Sequence, residues 1–179
     1  MRTDTAIVTM LVASFAACSP TTEEAVPAFS AGENVSPFAI GSLQAASLRD
    51  AAFAPVNDNM TLAINVTKVD VDALLTAEGL ATDVLQLSVQ PLIVRTPDRV
   101  LLFDTGNGPS GMLSASMATA GVGPAEVTDI FISHSHGDHV GGLVDADGAL
   151  AFANANIHLS VNEWAAMQEN AQIASLVTA

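Results

Sequence analysis

Three of the four histidines in this 179-residue chain, His134, His136 and His139, fall within six positions, together with Asp138. Neutral imidazoles and a carboxylate are the nitrogen and oxygen donors that zinc and similar divalent metals accept. His134 and His136 are two residues apart, so on extended backbone both side chains point to the same side and can share one ion. Gly137 then frees the backbone to bend, which lets Asp138 and His139 face a second position nearby. The competing reading is a polar surface loop with chance histidines. Histidine is scarce elsewhere, with only His158 outside the cluster, and that counts against chance.

The cluster opens where a strand stops. Residues 127–133, Val-Thr-Asp-Ile-Phe-Ile-Ser, are rich in β-branched and aromatic side chains and read as a buried strand. Functional groups tend to sit on such scaffold-held loops. A second strand over residues 100–103 ends at Asp104, followed by Thr105-Gly106-Asn107-Gly108. A carboxylate there is expected to accept backbone N–H groups of the glycine loop, a structural role rather than a catalytic one.

The run His134-x-His136-x-Asp138-His139 resembles the H-x-H-x-D-H signature of the metallo-β-lactamase-fold hydrolases. Residues 101–106, Leu-Leu-Phe-Asp-Thr-Gly, are similar to that family's strand ending in D-T-G, and residues 123–129 to its lead-in. Residues 151–157 and the pair Glu163-Trp164 look like the branch of methyl-parathion-type hydrolases and lactonases. The resemblance covers residues 38–170 and implies an α/β (α+β) fold, the N-terminal half of an αββα sandwich.

It also implies two metals, commonly zinc. His134 and His136 would bind the first, Asp138 and His139 the second, with Asp104 beside them as a supporting group. Asp138 would also orient a hydroxide or shuttle a proton. Metals of this kind make hydroxide available near neutral pH and polarise the bond being cleaved. No protein nucleophile is then required, and the chain has no G-x-S-x-G element. The implied activity is hydrolysis of a small ester-like substrate, a lactone or an organophosphate triester. A β-lactamase and a glyoxalase-II-type thioesterase share the same four residues and stay open.

The family's later histidine, bridging aspartate and final histidine have no counterpart. The chain has no histidine after His158 and no aspartate after Asp147. Four ligands divided between two metals leave each under-coordinated, and half a sandwich exposes a sheet face. The expectation is a domain truncated at its C-terminus and inactive in isolation. A non-catalytic, metal-binding envelope lipoprotein is the reading from a different class.

Half of the residues are apolar, so the chain is globular, and its length suits one domain. Five basic against nineteen acidic residues give a formal charge of −14, which argues against nucleic acid and against adhesion to anionic lipid. Residues 1–17 read as an export signal, with an apolar stretch too short to span a bilayer. Phe15-Ala16-Ala17-Cys18 resembles a bacterial lipobox, which implies a lipid on Cys18 and a periplasmic or outer-membrane location. Residues 18–37 read as a flexible tether, and 38–179 as the folded domain.

Within the domain, strands are expected over residues 38–43, 61–66, 84–94 with a break at Pro91, and 157–161. A hairpin turn is expected at Thr96-Pro97-Asp98-Arg99, and helices over 71–78, over 110–120 with Ser110 as N-cap and Gly121 as stop, and from Asn162. Val144-Asp145-Ala146-Asp147-Gly148 reads as a solvated turn. His158 reads as a satisfied core or surface histidine, not a ligand.

Overall fold

The computed structural model describes residues 26–169; the export segment and Cys18 lie outside them. In chain order the strands are β1 (Val35–Ile40), β2 (Leu43–Leu48), β3 (Ala51–Phe53), β4 (Leu87–Val89), β5 (Leu92–Arg95), β6 (Val100–Phe103), β7 (Asp129–Phe131) and β8 (Asn156–His158). The α-helices are α1 (Lys68–Ala77), α2 (Leu113–Ala120), α3 (Gly137–Val140) and α4 (Val161–Glu169). Six strands make one sheet in the order β1-β2-β5-β6-β7-β8, while β3 and β4 pair separately.

Two hairpins begin the main sheet. β1 and β2 pair antiparallel across Gly41-Ser42, with Ile40 opposite Leu43 and Gly41 at φ 62°. Two-residue hairpin loops need positive φ at the first turn position, and glycine supplies it without strain. Residues 38–43 are therefore two strands and a turn rather than one strand. β5 and β6 pair across the expected turn, where the Thr96 N–H donates to the Arg99 carbonyl at 2.9 Å. β7 then lies parallel to β6, and β8 parallel to β7. Parallel neighbours need a long crossover, and residues 104–128 supply it, carrying the glycine loop and α2.

Several boundaries differ from the sequence reading for identifiable reasons. Residues 61–66 form bends rather than a strand, with Asn59 at φ 61°, Ala63 at φ 56° and the Asn59 amide donating to the Val66 carbonyl. The run 84–94 splits at Pro91, which has no N–H to donate, so β4 joins β3 and β5 joins the main sheet. α2 begins at Leu113, three residues after Ser110, and ends as expected at Gly121, which is left-handed at φ 77°. β7 and β8 are shorter than expected, and α4 starts at Val161. Packed structure also begins before Phe38. Phe29 and Val35 are buried, and the Arg95 guanidinium sits 4.4 Å above the Phe29 ring, so part of the supposed tether belongs to the domain.

The core lies on one face of the sheet. Ala46, Leu48, Ile93, Leu102 and Ile130 are fully buried there against Leu113, Met117 and Ala120 of α2. On the opposite face Phe131 stacks between Phe103, at 5.2 Å, and His158, at 4.6 Å. On that face Phe38 and Ile40 of the edge strand are 46% and 47% exposed, while Ala45 and Val94 further in are buried. None of the described helices is long and apolar enough to cross a membrane.

Two buried carboxylates fix the ends of the sheet. Asp50 accepts the backbone N–H groups of Asn107 and Leu113 and the Asn107 side-chain amide, all within 2.9 Å. It thereby caps α2 from 63 residues away, a task the sequence assigned to Ser110. At the other end Asp129 accepts from His158, Thr128 and Arg99. Hydrogen bonds from His158 and Thr128, then the Arg99 contact, lower its pKa to about 2 from 3.8. A depressed carboxyl pKa contributes stability that is present above the ordinary value and lost as pH falls through the folded one. Asp129→Asn is therefore expected to unfold at lower denaturant near pH 7 and to lose less stability than wild type between pH 4 and 2. Denaturant midpoints followed by circular dichroism across that range check this.

Candidate metal centre

β7 ends at Phe131, and the chain runs extended through Ile132 and Ser133 to the histidines. His134 and His136 have ring centroids 4.6 Å apart, on one side of the backbone as their spacing dictates. His136 is the N-terminal cap residue of α3, a single turn that carries Asp138 and His139. That turn folds His139 back, so its ring lies 3.8 Å from that of His134. The Asp138 carboxylate stands 3.4 Å from His139 Nε2. The structure thus brings all four expected ligands together.

The rings are held from behind. His139 Nδ1 lies 2.8 Å from Asp104 Oδ2, so Nδ1–H donates to the carboxylate and leaves the Nε2 lone pair free for a metal. Asp104 also accepts the Ser133 backbone N–H and hydroxyl, each at 2.7 Å. The Ser133 hydroxyl in turn lies 3.1 Å from His134 Nδ1. Asp104 reaches all of these from a left-handed backbone, φ 62°, a region that aspartate tolerates better than most residues. Its partners are the metal loop rather than the glycine loop, where the Asn107 N–H and side-chain amide donate to Asp50.

Backbone packing sets the height of the loop. Thr105 donates through both N–H and hydroxyl to the His139 carbonyl. A side chain at Gly142 would collide with the Thr105 carbonyl oxygen, and one at Gly108 with that of Gly141. These glycines let the D-T-G loop and the metal loop lie backbone to backbone. From the far side Glu163 of α4 accepts the Ser135 N–H at 2.7 Å. Hydrogen bonding from Ser135, with the imidazoles of His134 and His136 adding to it, lowers the Glu163 carboxyl below its ordinary range. Sequence reasoning gave no role to Ser133, Thr105, Asp50 or the Glu163 contact.

The donor chemistry, three imidazoles and a carboxylate with open ring nitrogens, fits a divalent metal. Among the described residues no three His, Cys, Asp or Glu side chains are arranged to hold one metal ion as they stand. A cavity of about 120 Å³ opens beside Asp138 and His139, walled by Asp104, Ser88 and Gln90. A larger one of about 330 Å³ lies behind the loop, against Leu113, Met117 and Phe152, and holds none of the four candidate ligands. His158 stands apart, its Nε2 on Asp129 at 2.9 Å, and Asp145 closes its own turn by accepting from Asp147 and Ala149.

Residues 86–166, a segment that contains every candidate ligand, match the family model described as the metallo-beta-lactamase superfamily. Among solved structures it is similar to AidC, a dizinc quorum-quenching lactonase. The identity is 28% and the TM-score 0.71, covering 77% of this chain and 48% of that one. It shares the fold of the hydrolase AbOPH, at 22% identity and TM-score 0.66, covering 80% and 50%. Ribonuclease Z of Methanothermobacter thermautotrophicus is 44% identical over 52 residues, 29% of this chain and 16% of that protein. The chain spans about half the length of the two solved relatives.

Asp104→Asn offers an amide in place of one carboxylate oxygen. The Nε2–H tautomer of His139 is expected to appear in imidazole nitrogen NMR of the metal-free protein, and metal affinity to fall by about 10- to 100-fold.

Proposed function

We propose that the chain carries the metal-binding half of a metal-dependent hydrolase acting on a small ester-like substrate, a lactone or an organophosphate triester. The observation that carries this reading is the convergence of His134, His136, Asp138 and His139 at one strand end, with Asp104 behind His139. His134 and His136 would hold one ion, and Asp138 and His139 a second, with zinc the first metal to try. The metals, when bound, supply hydroxide near neutral pH and polarise the bond to be broken. The protein's own part is orientation. Asp104 fixes the His139 tautomer, and Asp138, at the mouth of the small cavity, is placed to hold a proton or orient water.

Similarity to a dizinc lactonase supports the lactone arm. The ribonuclease similarity covers only 52 residues, and a charge of −14 opposes an RNA substrate. Zinc analysis and a panel of lactones, phosphotriesters, β-lactams and thioesters, applied to the complete domain, test the reading. Asp138→Ala is expected to reduce kcat/KM on the accepted substrate by about 10²- to 10⁴-fold. Zinc uptake without turnover on any of the panel would favour the non-catalytic metal-binding alternative. The reading includes export and lipid attachment at Cys18, supported by the sequence of residues 6–18. Intact-mass analysis of the mature N-terminus is expected to show a lipidated cysteine, and an unmodified Met1 start would remove that part.

A further inference from the structure

The two imidazoles of the first metal position are joined by one residue, Ser135, and its backbone amide is bound from outside the loop. Ser135 N–H donates to Glu163 Oε2 at 2.7 Å, across 28 residues of sequence. Glu163 does not reach there by chance of a floppy side chain. It sits in the first turn of α4, whose start is fixed by Ser160, with the Glu163 N–H donating to the Ser160 hydroxyl at 3.1 Å and the Trp164 N–H to the Ser160 carbonyl. Further along, Met167 is buried to 2% exposure in the core. At its other edge the loop is tied by the Ser133 N–H to Asp104 at 2.7 Å. Rotation about the Ser135 backbone would swing His134 and His136 relative to each other, and no helix or sheet bond restrains it at that residue.

From this geometry we infer that Glu163 is a positioning residue. Its carboxylate accepts the Ser135 N–H, locks the backbone between His134 and His136, and so sets the spacing of the two imidazoles that would share the first metal. The metal part of this inference rests on the proposed function; the lock itself does not. The hydrogen bond needs an acceptor at the right reach rather than a charge. Glutamine keeps both reach and acceptor, whereas aspartate keeps the charge but is one methylene too short.

The test compares the full chain with Glu163→Gln, Glu163→Asp and Glu163→Ala in two measurements. One is hydrogen exchange of the Ser135 amide in metal-free protein; the other is cobalt(II) affinity by chelator competition, with melting temperature as a control. Glu163→Asp and Glu163→Ala are expected to speed Ser135 exchange by at least about tenfold and to weaken cobalt binding by about 10- to 100-fold. Glu163→Gln should stay within about threefold of wild type in both. Unchanged Ser135 exchange in Glu163→Asp overturns the inference, as does a Glu163→Gln protein that fails like Glu163→Ala. An equal drop in melting temperature in all three variants, with no difference in Ser135 exchange, reduces Glu163 to helix docking and also overturns it. If wild type takes up no cobalt while the exchange pattern holds, the lock stands and the hydrolase reading falls.

Discussion

The Asp104 carboxylate joins the ends of two parallel strands. β6 delivers it, β7 delivers Ser133, and the single turn that follows folds His139 back onto it. Because both strands are parallel and adjacent, their C-terminal ends open on the same edge of the sheet, and side chains there meet without further architecture. The crossover between them must pass over the core face, which puts the glycine loop under the metal loop. Asp50 then holds that glycine loop from the opposite side. The site is thus the meeting of two loops, one pinned by Asp104 at the end of the neighbouring strand and the other by Asp50 just after β2.

What was legible in the sequence was local. Spacing placed His134 and His136 on one side of the chain, and the strand before them was legible, though β7 stops at Phe131, short of the polar residues. The Thr96–Arg99 turn and the Gly121 stop are read from residues whose backbone preferences are strong. Contacts between residues far apart in sequence were illegible. Asp50 drew no role, since nothing nearby shows that its partners are Asn107 and Leu113. Residues 61–66 alternate like a strand, but positive φ at Asn59 and Ala63 turns them aside. Pattern had no partner strand to act on there.

The exposed sheet face bears on the same question from another direction. Phe103, Phe131 and His158 form a stacked row, with the half-exposed Phe38 and Ile40 beyond it. The matched part of the chain spans about half of each solved relative, and the four candidate ligands make an open donor set. Half-exposed aromatic and aliphatic side chains and an open donor set both mark the described region as a platform rather than a closed centre.

The separations along the chain have a kinetic side. Both hairpins close over two to four residues, whereas Asp104 meets His139 across 35 residues and Asp50 meets Asn107 across 57. Loop closure grows costlier with separation, so local pairings form early and the long-range carboxylate contacts late. The histidines are therefore gathered only after the sheet exists. Any opening of the sheet scatters them first, and a metal bound at this edge would hold shut the last part of the molecule to assemble.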